Sequence, residues 1–138
     1  MTKSKIVPIP IKMEKFYGKG KMLHPSVEEV EMLIKTIPKG YVVTIDTIAK
    51  RLAKDFDTDV TCPMRTGNAV RKIAERFSSD TINYEIPFWR VIRSNNLVIK
   101  YKNFEFWASQ LEDEGFKLLF TKSDAIKVAV DSNKLFML

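Results

Sequence analysis

The stretch from Thr61 to Ile99 constrains this fold more than any other, because it joins a polarised helix to an extended segment. It begins Thr61-Cys62-Pro63-Met64-Arg65-Thr66-Gly67-Asn68-Ala69-Val70-Arg71-Lys72-Ile73-Ala74, basic and polar at its start and apolar beyond. Pro63 suits a first helical turn, where its missing N–H costs nothing. Gly67 inside that turn costs about 1 kcal/mol relative to Ala, so a bare backbone must serve some purpose. Two purposes fit: close approach of another backbone, a nucleic-acid strand included, or a tight helix–helix crossing. The stretch closes with Ile86-Pro87-Phe88-Trp89-Arg90-Val91-Ile92-Arg93 and runs through Asn95-Asn96 into Leu97-Val98-Ile99. A polar connection, Ser78-Ser79-Asp80-Thr81, lies between the two halves.

The 138 residues suffice for one domain, which should bury roughly 70% of its unfolded surface. No apolar run approaches the ~18 residues of a membrane span. Ile6 to Ile11 is short and broken by Pro8 and Pro10, unlike a secretory signal. Cys62 and His24 are the single residues of their types, so an intrachain disulfide and a multi-cysteine metal site are excluded. The expectation is a cytoplasmic monomer without metal, cofactor or membrane contact, associated with the nucleoid if it binds DNA.

The net charge of +6 is uneven. Residues 1–24 carry six Lys against Glu14, a balance of +5, and residues 61–93 a balance of +3. Residues 25–60 sum to −2 and residues 94–138 to zero. A basic patch of this kind suits a phosphate backbone; a solubilising excess is the alternative.

In chain order, residues 1–24 read as a basic arm rather than a packed element. Pro8, Pro10, Gly18 and Gly20 forbid a long helix, while Ile6, Val7, Ile9 and Ile11 allow one short edge strand. Gly18-Lys19-Gly20-Lys21 lacks the spacing of a phosphate loop. Residues 25–138 then read as a single domain. Its first helix spans Pro25 to about Thr36, with Ser26 and Glu29 as a capping box and Val27, Val30, Leu33 and Ile34 at helical spacing. Pro38-Lys39-Gly40 turns into extended Tyr41-Val42-Val43. Thr44 is placed as N-cap of a second helix to about Asp55, with Ile45, Ile48, Ala49 and Leu52 on one face. That helix and the one starting at Pro63 have the logic of a helix-turn-helix, although Asp57 to Thr61 is longer than the usual turn. Trp89 to Ile92 and Leu97 to Ile99 read as strands about an Asn95-Asn96 turn, the wing of a winged helix-turn-helix. Phe104 to about Glu114 is a helix stopped by Gly115. Lys117 to Phe120 and Ile126 to Val130 are short strands. The fold class expected is mainly α with a small β wing.

Four pieces, in order, carry a family resemblance: Ile37-Pro38-Lys39-Gly40 with Val43-Thr44, Gly67-Asn68-Ala69, Ile86-Pro87-Phe88-Trp89-Arg90-Val91-Ile92-Arg93-Ser94, and Leu111-Glu112-Asp113-Glu114-Gly115. Together they resemble the C-terminal, DNA-binding domain of alkylguanine-DNA alkyltransferases, and most of all the short alkyltransferase-like members. The resemblance covers about Ser26 to Gly115. It implies a minor-groove reader, in which the second helix of the helix-turn-helix enters the groove and an Arg replaces an extruded base. In that family a Cys of Pro-Cys-His-Arg accepts the alkyl group, made a thiolate by a His that a Glu holds. Thiolate is the nucleophile, and a neighbouring base must create it.

The chain departs from that pattern at the reacting positions. Phe88 stands where the resemblance puts the acceptor Cys, and Trp89 where it puts the His, so no catalytic residue is expected. Glu114 matches the family Glu and reads as a helix-end carboxylate. Cys62 reads as a small buried or N-capping residue rather than a substitute nucleophile. Met64 stands where the family has its inserted Arg, with Arg65 one residue on, and Ile45 replaces a Tyr. Met is one of the apolar wedges that enter base steps. The expected DNA contacts are Thr44, Met64, Arg65, Thr66, Gly67, Asn68, Arg71 and Lys72. Phe88, Trp89, Arg90 and Glu114 are placed at the base pocket. There Phe88 and Trp89 either fill the space as core or offer Trp89 as a stacking platform. Arg90 either ties the wing to the recognition helix or meets phosphate. The function expected is a non-catalytic DNA-binding protein linked to repair. Its partners would be double-stranded DNA, intact or alkylated, and repair proteins. A winged-helix interaction module without DNA binding, and an active alkyltransferase using Cys62, are the alternatives.

Overall fold

The computed structural model describes residues 3–79, 86–99, 104–122 and 125–138. The core is built by three helices that meet at one apolar centre. Helix α2 (Val27–Ile34) follows a short α1 (Glu14–Tyr17), and Ser26 caps α2 by accepting the Glu29 N–H. Thr44 caps α3 (Ile45–Asp55) in the same way, accepting the Thr47 N–H at 3.2 Å, and Ile48, Ala49, Leu52 and Ala53 turn inward. Helix α4 (Pro63–Ser79) packs on both, burying Ala69, Val70, Ile73 and Ala74, while Arg76 reaches Glu31 of α2. Of the polar connection expected after it, Ser78 and Ser79 belong to α4, and Asp80 and Thr81 lie outside the described residues.

Three small sheets frame this centre. Strands β1 (Lys5–Pro8) and β2 (Lys21–His24) pair antiparallel, and β2 pairs parallel with β4 (Val60–Thr61). Strand β3 (Val43–Thr44) pairs parallel with β5 (Val91–Ile92). After α5 (Phe104–Asp113), β6 (Lys117–Phe120) and β7 (Ile126–Ala129) form an antiparallel pair. Gly115, at φ +97°, ends α5: its N–H bonds the Glu112 carbonyl and the Phe116 N–H the Leu111 carbonyl. That pairing satisfies the helix end, and a left-handed residue there favours Gly.

Two expectations are corrected. Residues 5–24 are packed rather than an arm, with Ile9, Met22 and Leu23 buried. The strand pairing of β2 with β4 supplies the backbone partners that a lone edge strand would lack. Leu97 to Ile99 is not a strand folded back on Trp89 to Ile92. Two bonds, Arg93 N–H to Leu97 carbonyl and Asn96 N–H to Arg93 carbonyl, close the turn, in which Asn96 alone takes positive φ. Beyond it the chain bonds β7, through Val98 N–H to Ile126 carbonyl and Val128 N–H to Asn96 carbonyl. The β5 edge is meanwhile engaged by β3. Among the described residues no helix is long and apolar enough to cross a membrane.

Candidate nucleic-acid interface

Helix α4 carries two stripes set by its period. Thr66, Ala69, Val70, Ile73 and Ala74 face inward, and Met64, Arg65, Asn68 and Lys72 face solvent. Met64 is 74% exposed at the first turn, an apolar side chain offered to solvent at the head of a cationic stripe. Arg71 is half-buried, and its Nη1 donates to Asn68 Oδ1 at 3.2 Å. Arg65 and Lys72 form no ion pair among the described residues. Both line a cleft of about 390 Å³ between α4 and the start of α2, with Asn68, Ser26 and Val27.

Gly67 separates its two readings. A Cβ placed there would lie 3.8 Å from Arg71 Nη1 and 3.9 Å from Ile45 Cδ1, ordinary contact distances. No neighbouring backbone comes within 4 Å, so a tight helix crossing does not explain the glycine.

Two hydroxyls expected at the interface bond the backbone. Thr66 is fully buried and donates to the Cys62 carbonyl at 2.8 Å, a bond back into the preceding turn. Thr44, half-buried, caps α3 as its place before Ile45 predicts, with Thr47 Oγ1 also 3.0 Å away. The inward turn of Thr66 is not revealed by its position along the motif. Cys62 is half-buried ahead of α4, and its N–H donates to the Leu23 carbonyl.

The residues placed at a base pocket form a closed cluster. Phe88, 2% exposed, meets Trp89 and Trp107 edge to face at 5.3 and 5.1 Å between ring centroids. Trp89 also meets Phe106 edge-on, and the Arg90 guanidinium lies 5.7 Å from its ring centre. Of the two readings, the aromatic pair therefore packs as core. Glu114 is a helix-end carboxylate, directly after the last residue of α5, and it is buried. Its side chain is 5% exposed and accepts from the Trp89 indole N–H, from Arg90 Nε at 2.9 Å, and from the Gly40 N–H at 3.1 Å. Burial raises its pKa, yet these hydrogen bonds and the Arg90 charge together hold it below the ordinary glutamate value. Arg90 Nη1 donates to the Ile37 carbonyl at 2.7 Å, so Arg90 ties the α5 end to the loop before β3 rather than to α4. The roles of Ile37 and Gly40 were missed in the sequence, because both act through the backbone.

The residues that meet at Glu114 come from three of the four motif pieces. Residues 25–116 match the model of the 6-O-methylguanine DNA methyltransferase DNA-binding domain. The chain belongs to this family. Its fold is similar to that of S. pombe Atl1 in complex with damaged DNA containing O6-carboxymethylguanine, at 19% identity and a TM-score of 0.57 over 80% of this chain and 93% of that one. It is equally similar to S. pombe ATL in complex with DNA, at 20% identity, a TM-score of 0.57 and the same coverage. At such identities the likeness is one of fold. No curated protein matches the chain in sequence. Residues 3–24 and 117–138 lie outside the stretch that matches the DNA-binding domain of the family.

Proposed function

We propose that this family member is a non-catalytic, alkyltransferase-like reader of duplex DNA that serves repair. The observation that carries the reading is the exposed stripe Met64, Arg65, Asn68 and Lys72 on α4, with Gly67 buried beneath it against the Arg71 and Ile45 side chains. Helices α3 and α4 act as the helix-turn-helix and the Arg93 to Leu97 turn as its wing. Arg65, Arg71 and Lys72 hold phosphates, and Met64 enters a base step as a wedge, a use open to apolar side chains in the minor groove. The complex of S. pombe Atl1 with damaged DNA containing O6-carboxymethylguanine supports alkylguanine duplexes as the ligand.

Alkyl transfer needs a thiolate with a base beside it. At the positions the resemblance gives to that pair the chain has Phe88 and Trp89, and Glu114 holds an indole N–H where it would hold an imidazole. An indole N–H is a donor only and takes up no proton. Incubation with a duplex labelled on its alkyl group should leave the protein unlabelled. Label that appears and then disappears in Cys62→Ser would overturn the non-enzyme reading.

A further inference from the structure

The strand pair β1–β2 precedes the family-matched stretch, yet it is fastened to the head of α4. The parallel register Leu23 with Thr61 sets His24 beside Cys62, and the Cys62 N–H donates to the Leu23 carbonyl at 2.9 Å. On the other side Lys5 pairs with His24 across the antiparallel ladder, so their side chains share a face. Ser4 strengthens this placement: its Oγ accepts the Ser26 N–H at 2.9 Å, fixing the start of β1 against the start of α2. The fold thus sets Lys5 beside His24 next to the head of α4, where the Arg65 charge also acts on His24, and α4 carries Arg65, Arg71 and Lys72 along the cleft.

Cations outnumber anions there, with Arg65, Arg71 and Lys72 lining the cleft against Glu75. His24 titrates below its ordinary value, through burial first and then through the positive charges of Arg65 and Lys5. Four ion pairs are formed among the described residues, and none involves Lys5, Arg65 or Lys72. A fold that leaves Lys5, Arg65 and Lys72 without a carboxylate partner among the described residues leaves an anion to complete the group. Lys5 lies on the strand pair, Arg65 at the first turn of α4 and Lys72 two turns further along.

We propose that the β1–β2 strand pair is a second DNA-contacting element, in which Lys5 extends the phosphate track of Arg65 and Lys72 beyond the family's DNA-binding domain. This rests on the duplex-DNA reading of α4 and adds to it a contact that the family match does not include. The backbone contact is indifferent to sequence and to base damage, because phosphates carry neither.

The test is the salt dependence of duplex binding by the full chain, followed by fluorescence anisotropy, for the wild type, Lys5→Gln, Lys5→Arg and Lys35→Gln. Lys5 and Lys35 are both exposed, so neither substitution removes core packing. Lys5→Gln should weaken intact and alkylguanine duplexes by the same factor and make the log–log salt slope shallower by about 0.9. Lys5→Arg should restore the wild-type slope, and Lys35→Gln, at the end of α2 away from the cleft, should retain it. A wild-type slope in Lys5→Gln, with Arg65→Ala shallower, would overturn the second element and leave the α4 reading standing. A wild type whose binding ignores salt would overturn both.

Discussion

At the scale of single residues, Glu114 is the point at which distant parts of the sequence are held together. It takes Trp89, Arg90 and Gly40 on one carboxylate, and Arg90 continues to Ile37. Removing it leaves the Arg90 charge, 15% exposed, without a counterion, and breaking a buried pair costs about 3–5 kcal/mol. Glu114→Ala should therefore lower the denaturation midpoint sharply, measured by urea unfolding. The same group sets a pH dependence. Its folded pKa lies below its unfolded value, so its stabilisation is complete above about pH 4.5 and is lost as pH falls through the folded value. Urea midpoints taken between pH 7 and pH 3 should fall over that acid range, and Glu114→Gln should flatten the fall. Gly67 makes the opposite prediction. An added methyl meets only ordinary contacts, and Ala gains about 1 kcal/mol of helix propensity. Gly67→Ala should melt a few degrees higher and bind duplex DNA more weakly. A destabilised variant whose folded fraction binds normally would sink the groove-approach explanation.

At the scale of elements, what could be read in advance followed from local chemistry. Ser26 and Thr44 cap their helices, Pro63 opens α4 and Gly115 closes α5, because caps and stops are decided by a few adjacent residues. Thr44→Ala should accordingly cost about 1 kcal/mol through α3, seen as a lower melting temperature. What could not be read depended on pairing across the chain. The β1–β2 strands looked like an arm because their partner β4 is two residues long and lies 38 positions beyond β2 by the Leu23–Thr61 register. The residues after Asn96 looked like a returning strand because nothing local reveals that β7 binds them. The same limit applies to the site. The cationic stripe of α4 was visible in its period, whereas the inward turn of Thr66 and the burial of Glu114 were not.

At the scale of the whole molecule, the closed aromatic cluster and the open cationic edge divide the chain's work. Phe88, Trp89 and Trp107 stabilise the centre, with the Trp107 indole N–H donating to the Val91 carbonyl at 3.1 Å. Trp107→Phe removes that buried hydrogen bond and should cost about 1 kcal/mol in thermal unfolding. The cationic edge should respond to salt rather than to temperature. Arg65→Ala, Arg71→Ala and Lys72→Ala should each weaken binding to every duplex and reduce the salt slope by about one unit. The most direct measurement is equilibrium binding of the unmodified chain to two labelled duplexes, one intact and one holding a single O6-alkylguanine, across a salt series. The expected result is an affinity that falls linearly with salt on logarithmic axes for both, and is tighter throughout for the alkylated duplex. An affinity indifferent to salt would contradict the account and point to a protein-interaction module in place of a DNA reader.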